Sequence, residues 1–220
     1  MLFSFGTKAT ALLGACLALA LIVPSAQAST VNLVANGQFE NGTHGGGPYV
    51  TLPTGSNAMS DWTVSAGTVD WIGTYWDGSG PGADKSVDLS GNSLGAISQT
   101  ITGLVANQVY QLSFDLARNK DLGSVQTMIA SLGGFTSATM TATTDAPNWT
   151  SFVMTFLWTG PASSVLTLSA TTSVGCCYGP AIDNVALSAV PVPPAAILFL
   201  SGLAGLTALG RRRRSVPKKV

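Results

Sequence analysis

The chain has 220 residues, of which 46% are hydrophobic and 9% charged, and its formal net charge is zero. The charges are segregated: all ten acidic residues lie between Glu40 and Asp183, where only Lys85, Arg118 and Lys120 are basic, so this stretch carries a net charge of −7. Such a stretch repels phosphate backbones, which argues against nucleic acid as a partner and is compatible with divalent cations.

The first 28 residues have the pattern of a secretory signal. Lys8 precedes an apolar segment over residues 9–23, Pro24 ends it, and Ala26 and Ala28 place small residues at a cleavage position. We therefore expect residues 1–28 to be a signal helix that is removed after Ala28, and the mature chain to be exported.

Residues 29–188 have the pattern of one β module. Short segments rich in Val, Ile, Thr and aromatic residues alternate with Gly, Asn, Asp and Pro, and the spacing of apolar residues typical of a helix is not sustained. The predicted strands are 31–34, 49–52, 62–65, 68–72, 86–89, 96–101, 109–116, 124–131, 135–139, 149–157, 165–170 and 182–187. About a dozen strands at this spacing predict an all-β fold, a sandwich or jelly roll.

The segment 109–116 shows the clearest alternation. Tyr110, Leu112, Phe114 and Leu116 share one face of the predicted strand, and polar residues occupy the other. Because successive side chains of a strand point to opposite faces, we expect these four side chains to face the core.

Several motifs of the module carry a resemblance to known families. The motifs occupy residues 32–40, 62–64, 69–76, 86–91, 97–100 and 178–185. Their order resembles the choice-of-anchor C family and a plant cell-wall family of secreted proteins, both similar to galactose-binding-like jelly rolls. The resemblance spans nearly the whole module and implies a jelly-roll β-sandwich in an exported setting more strongly than it implies a ligand.

The same resemblance implies a structural calcium ion. In carbohydrate-binding jelly rolls that share the opening and closing motifs, the first and last strands pair and their acidic residues often hold calcium, which here nominates Glu40 and Asp183. Calcium takes six to eight oxygen ligands in a loose geometry, which suits an acidic module. The alternative is that both carboxylates accept hydrogen bonds from loop amides.

An aromatic and acidic cluster precedes a glycine-rich loop over residues 78–82. It consists of Trp71, Tyr75, Trp76 and Asp77. Sugars stack their C–H faces on aromatic rings and need polar partners for their hydroxyls, so the cluster is a candidate carbohydrate platform. The alternative is core packing, with Trp71 pointing inward and Tyr75 or Trp76 more exposed.

Cys176 and Cys177 are the cysteines that remain after signal removal. An exported setting permits a disulfide, and an adjacent pair forms either a strained vicinal bridge or a bond between chains. Zinc is a weak alternative, because two thiols and the lone His44 do not complete a tetrahedral site.

The sequence gives little support to catalysis, and we expect no enzyme. His44 lies in a glycine-rich segment, which holds a general base poorly. Asp70, Asp77, Asp84 and Asp88 offer a pair of carboxylates for glycoside hydrolysis, but solvated aspartates are commoner.

The C-terminal region has the order of a sorting signal. A Pro-rich linker over 189–194 precedes an uncharged segment over 195–210 and an arginine cluster, and residues 195–220 are expected to form a transmembrane helix with a basic tail. The motif residues are Val190, Pro191, Val192, Pro193, Pro194, Arg211, Arg212, Arg213 and Arg214. This region resembles a PEP-CTERM signal in its VPLPA-like variant, which implies an exosortase-type sorting enzyme and delivery to the cell surface or matrix of a Gram-negative bacterium.

Together these features predict an exported surface or matrix protein whose β-sandwich associates with glycan or exopolysaccharide. The alternatives are a structural or adhesive matrix protein without a sugar site, and a glycoside hydrolase that uses the aspartates.

Overall fold

The structure, a computed structural model, describes residues 31–80, 82, 84–172 and 177–191. The expected signal helix, Cys176 and the sorting signal from Val192 onward lie outside the described residues. Within the described ranges, no helix has the length and apolar character needed to cross a membrane.

The described residues form twelve strands. They are β1 (Tyr49–Pro53), β2 (Thr63–Ala66), β3 (Thr68–Ile72), β4 (Ser86–Asp88), β5 (Ala96–Thr102), β6 (Val109–Arg118), β7 (Gln126–Leu132), β8 (Phe135–Thr136), β9 (Met140–Ala142), β10 (Thr150–Leu157), β11 (Ser163–Thr172) and β12 (Pro180–Ala189). Every predicted segment except 31–34 falls on a strand, and β9 is a strand that the sequence pattern does not predict.

The strands form two antiparallel sheets packed as a jelly-roll sandwich, which confirms the predicted all-β fold. The first sheet has the order β1-β3-β4-β12-β6-β10, and the second has the order β2-β5-β11-β7-β8 with β9 beside β7. The first sheet brings together strands that lie far apart in sequence, since β12 pairs with both β4 and β6.

The core lies between the sheets and follows from the alternation of side chains. Tyr110, Leu112, Phe114 and Leu116 are at most 2% exposed, so the predicted inner face of β6 is confirmed. Burying such side chains contributes roughly 1.5–3 kcal/mol each relative to leaving them in water.

The opening and closing motifs lie against each other. The backbone N–H of Leu33 donates to the carbonyl of Leu187, and the side-chain oxygen of Asn32 accepts from the Leu187 N–H. A Cβ on Gly37 would come within 2.0 Å of the Val185 carbonyl oxygen, so only glycine permits this close approach. The Leu187 N–H is therefore paired with the side chain of Asn32, whereas in a regular strand over 31–34 it would pair with a backbone carbonyl.

The outer face of the first sheet is partly covered by the loop between β3 and β4. Trp76 of this loop packs on that face in a small buried cluster with Ile72, Ala117 and Ala181. Its indole N–H donates to the hydroxyl of Ser86 at 2.9 Å. This loop therefore divides the outer face and leaves a cleft beside it.

Candidate functional site

Two of the aromatic residues proposed as a carbohydrate platform are buried, which corrects that prediction. Trp71 is 0% exposed, and its indole N–H donates to the Phe39 carbonyl in the main core; Trp76 is 5% exposed beneath the loop. Neither ring presents a face on which a sugar could stack. Trp71 points into the main core as expected, whereas Trp76 is buried in the separate cluster on the outer face of the first sheet.

The other two residues of the predicted carbohydrate platform, Tyr75 and Asp77, lie in different surroundings. Tyr75 is half-buried and faces a cleft, whereas Asp77 is exposed and its carbonyl accepts from the Trp149 indole at 3.3 Å. Asp77 does not line the cleft. Tyr75 is therefore the platform residue around which a site can be built.

The cleft around Tyr75, called here the tyrosine cleft, has a volume of about 120 Å³. Its lining residues are Tyr49, Asp70, Ile72, Tyr75, Asn119, Asp121, Cys177 and Tyr178. The rings of Tyr49 and Tyr75 lie 5.8 Å apart edge to face, and Tyr49 is 49% exposed. Three tyrosine rings and several polar groups thus converge on one opening.

Strand register places a second, buried carboxyl group beside the Asp70 carboxyl that lines this cleft. Asp70 on β3 lies directly opposite Asp88 on β4, and both side chains are buried. Asp70 accepts from the Thr51 hydroxyl at 2.6 Å. Burial raises the pKa of Asp70, and it raises the pKa of Asp88 to about 7, where the charge of Asp70 adds to the effect.

Hydrogen bonds hold the Asp88 carboxyl in place despite its burial. It accepts from the Asn119 amide at 2.8 Å and from the Ser90 and Gly179 N–H groups at 2.9 and 3.3 Å. A Cβ on Gly179 would come within 2.5 Å of the Asp88 carboxyl, so glycine is required there. The adjacent Tyr178 lines the cleft.

One acidic and one basic side chain, Asp121 and Lys120, contact Tyr75 at the cleft. The hydroxyl of Tyr75 donates to Asp121, and this hydrogen bond raises the pKa of Tyr75 to about 12, so the phenol stays protonated. The ammonium group of Lys120 lies 4.5 Å from the centre of the Tyr75 ring and donates to the Tyr75 carbonyl at 3.2 Å. The Tyr75 ring is thus already in a cation–π contact.

The two predicted calcium ligands contact nitrogen donors. Glu40 accepts from the N–H groups of Asp84 and Lys85 and forms an ion pair with the Lys85 ammonium at 3.1 Å. Asp183 is 0% exposed and accepts from the Ser79 and Asn184 N–H groups at 2.5 and 2.6 Å.

Burial raises the pKa of Asp183 to about 7, and the charges of Glu40 and Asp115 also raise it. Within the described ranges, no three His, Cys, Asp or Glu side chains are grouped so as to hold a metal ion. Calcium requires oxygen ligands, so this arrangement does not by itself supply a coordination shell. Calcium binding stays a prediction.

A larger groove of about 460 Å³ lies where the opening and closing motifs meet. It is lined by polar side chains, but these hold the protein's own backbone. Asn36 donates to the carbonyls of Asn41 and Ser60 and accepts from the Asn41 N–H. Asn32 accepts from two N–H groups. Since no aromatic residue among those described lines this groove, the tyrosine cleft is the better candidate for a carbohydrate.

Cys177 lies beside the tyrosine cleft with a positive φ of 83°. Its carbonyl accepts from the Asn119 amide at 3.3 Å. Because Cys176 lies outside the described residues, the vicinal disulfide stays a prediction.

His44 has a structural contact. Its Nε2 lies 2.9 Å from the Trp71 carbonyl, and its ring packs edge-on against Trp71 at 4.9 Å. The ring is therefore held against the wall of the core, and no nucleophile is among these contacts.

Sequence reasoning did not find Tyr49, Asn119, Asp121 or Tyr178 as site residues. Tyr178 stood within the recognised closing motif, but nothing in the sequence pairs it with Tyr49, which lies 129 positions earlier. One signal in the sequence could have indicated the region. Asp70 and Asp88 are each an acidic residue between two apolar residues of a predicted strand, and β3 and β4 pair so that these residues lie opposite each other.

The fold and the cleft define the class: a jelly-roll β-sandwich with a tyrosine-lined cleft on the outer face of one sheet. The chain belongs to the family described as "Protein of unknown function (DUF642)", whose model matches residues 32–188.

A curated relative, Halomucin of Haloquadratum walsbyi, is 34% identical over 195 residues. The match covers 79% of this chain but only 2% of the relative, so the chain spans a very small part of that protein.

Solved structures with a similar fold include carbohydrate-binding domains. The CBM22-1 xylan-binding domain from Paenibacillus barcinonensis Xyn10C is 13% identical, with a TM-score of 0.45 over 65% of this chain and 94% of that one. TmCBM61 in complex with β-1,4-galactotriose is 15% identical, with a TM-score of 0.44 over 71% and 97% of the two chains. The arabinose-bound α-L-arabinofuranosidase MgGH51 is 14% identical, with a TM-score of 0.49 over 72% and 26%. Likenesses at this level do not identify a ligand.

Proposed function

We propose that the protein is an exported surface or matrix protein whose β-sandwich associates with glycan through the tyrosine cleft. The observation that carries the proposal is the convergence of Tyr49, Tyr75 and Tyr178 with the carboxyl groups of Asp70 and Asp121 at one opening. Tyrosine rings offer apolar faces for the C–H surface of a sugar, and neighbouring amides and carboxylates pair with its hydroxyls.

The small volume of the cleft limits the mode of binding. About 120 Å³ is below the roughly 300–1,000 Å³ typical of sites that enclose a whole ligand. A glycan would therefore insert one substituent and rest the remainder of its ring on the exposed face of Tyr49. Such a contact is weak for a single sugar and gains strength when a polymer engages many copies of the protein.

The export part of the proposal is supported by the ends of the sequence. Residues 1–28 have the pattern of a cleaved signal, and Val190–Arg214 resemble a sorting signal processed by an exosortase-type enzyme. A protein routed in this way would meet polysaccharide outside the cell.

The proposal is tested by a glycan-array screen of the purified full chain, repeated with the variant Tyr49→Ala. Tyr49 is 49% exposed, so its removal should leave the fold intact while weakening retention about tenfold, the scale of one lost stacking contact with its desolvation. The matched control is Val165→Ala, which trims a 48% exposed side chain on the other sheet. Absence of any retained glycan, or equal retention by both variants, would refute the proposed site; release of reducing sugar would instead indicate a hydrolase.

A second candidate function, a structural matrix component without a sugar site, is favoured by strand β10. This strand lies at the end of the first sheet and carries no charged residue, and its Val153 and Leu157 are 60% and 58% exposed. Unprotected edge strands of this kind can pair with other chains.

A further inference from the structure

The tyrosine cleft has an excess of negative charge that a neutral sugar would not match. Asp70 and Asp121 line it, Asp88 lies buried directly opposite Asp70 on the neighbouring strand, and the Lys120 ammonium group contacts the Tyr75 ring. The two lining carboxylates and the Lys120 ammonium group together carry a formal charge of −1, before any charge on Asp88 is added. A ligand that brings a positive charge would relieve the repulsion between the facing carboxylates.

Asp70 supplies the contact point. Its side chain is only 7% exposed and lines the cleft, and its Oδ1 accepts from the Thr51 hydroxyl. Its second oxygen has no hydrogen-bond donor among the described residues. A carboxylate oxygen of a largely buried residue that lacks a donor and lines an opening is suited to a charged N–H group from outside.

The volume of the cleft and its tyrosine rings also favour a positively charged ligand. A cleft of about 120 Å³ has room for about four water molecules, which suits an ammonium group and its attached carbon better than a whole sugar ring. Tyrosine faces attract ammonium groups, as Lys120 shows at the Tyr75 ring. Tyr49 and Tyr178 line the same cleft as Asp70 and Tyr75.

We infer that the glycan bound at the tyrosine cleft carries a free primary amine, so that an amino-sugar residue places its ammonium group against Asp70 between the tyrosine rings. This inference rests on the proposed function and narrows the ligand to polysaccharides with unacetylated amino sugars. An N-acetyl group removes the charge and adds bulk, so it would be disfavoured at the same position.

The test compares two probes of equal length, oligomers of β-1,4-linked glucosamine and their fully N-acetylated counterparts. Binding to the purified full chain is measured by calorimetry at a pH where the amine is protonated. We expect the free-amine oligomer to bind at least about tenfold more tightly, the scale of one charge-assisted hydrogen bond. Asp70→Asn should abolish this preference. Asp61→Asn, which removes an equal charge from an exposed position outside the cleft, should preserve it.

Since Asp70→Asn removes a buried group, Tyr49→Ala serves as a second variant that leaves the buried carboxylates in place; it should weaken binding of the free-amine oligomer. Equal affinity for the two oligomers would overturn the inference while leaving glycan binding intact. If the protein binds neither oligomer but retains another glycan at the cleft, the inference is likewise overturned and glycan binding stands. If the glycan array shows no retained glycan, the proposed function itself is refuted. Binding that disappears with a chelator would assign the carboxylates to a metal ion and also overturn the inference.

Discussion

Asp88 has no exposed surface, and its carboxyl group faces Asp70 on the neighbouring strand. Burial raises its pKa from 3.8 to about 7, although the Asn119 amide and the Ser90 and Gly179 N–H groups favour the ionised form. The folded state therefore holds this proton more tightly than the unfolded state. The stability that results is fully present below about pH 4 and is lost as the pH rises through about 7.

We accordingly expect the melting temperature of the protein to fall between about pH 5 and about pH 8. Asp88→Asn should make this decline shallower, because the amide does not ionise. Thermal denaturation of both proteins across the pH range checks this. A wild-type melting temperature that rises over the interval would contradict the assigned environment of Asp88.

Trp76 contributes to stability rather than to a ligand surface. Its ring is 5% exposed and packs against Ile72, Ala117 and Ala181. Trp76→Ala should destabilise the fold by about 3–5 kcal/mol through the cavity it leaves. Urea denaturation measures this, with Tyr49→Ala as the control that changes stability by about 0.5 kcal/mol or less. A stable Trp76→Ala variant that had lost glycan retention would restore Trp76 to the site.

At the scale of elements, the entry into β12 depends on one glycine. A Cβ on Gly179 would meet both the Asp88 carboxyl and the Ser90 Cβ at 2.5 Å. Gly179→Ala should cost about 1–3 kcal/mol, because the β4–β12 contact must open to admit the methyl group. Gly134→Ala is the matched control, since a Cβ there meets nothing within 4 Å. Comparable stability of the two variants would show that β4 and β12 are not packed as described.

Strand β10 is the element that could link copies of the protein. Val153→Lys places a charge on the exposed face of this edge strand, where lysine opposes pairing with another chain. We expect it to reduce self-association in concentrated solution, measured by light scattering, with little change in melting temperature. Val165→Lys, on the inner strand β11, should not have this effect. Equal scattering from the wild type, Val153→Lys and Val165→Lys would show that β10 does not mediate self-association and would argue against the structural matrix role.

The strands that could be predicted from the sequence are those in which apolar and polar residues alternate regularly. On β6, apolar residues at every second position specify the inner face, because one side of the sheet packs on the core and the other does not. The segment 31–34 has a similar composition, yet Asn32 accepts backbone N–H groups with its side chain and prevents a regular ladder. β9 has three residues, too few to show a period.

The candidate site was less predictable than the fold because it depends on contacts between distant segments. The sequence indicates that residues 71–77 are aromatic and acidic, but it does not show that a loop folds Trp76 onto the outer face and leaves Tyr75 at the edge. Tyr49 and Tyr178 join Tyr75 only once β1, β3, β4 and β12 are arranged side by side. Such an arrangement is a property of the whole sheet rather than of any motif.

At the scale of the whole molecule, the net charge of −7 between Glu40 and Asp183 raises the question of whether the folded protein binds calcium. If Glu40 and Asp183 hold calcium outside the cell, a chelator should lower the melting temperature by several degrees, because an ion bound to the folded state stabilises it by mass action. Glu40→Gln should remove this dependence. An unchanged melting temperature in chelator would exclude a structural calcium ion and leave Glu40 as the ion-pair partner of Lys85.

The most direct measurement is a heteronuclear NMR titration of the folded protein with a glycan retained on the array. Binding at the tyrosine cleft predicts that the largest shifts fall on Tyr49, Tyr75, Asn119 and Tyr178, with small shifts elsewhere. Shifts centred on the groove around Asn36 and Asn184, or no shifts at a saturating glycan concentration, would contradict the proposed site.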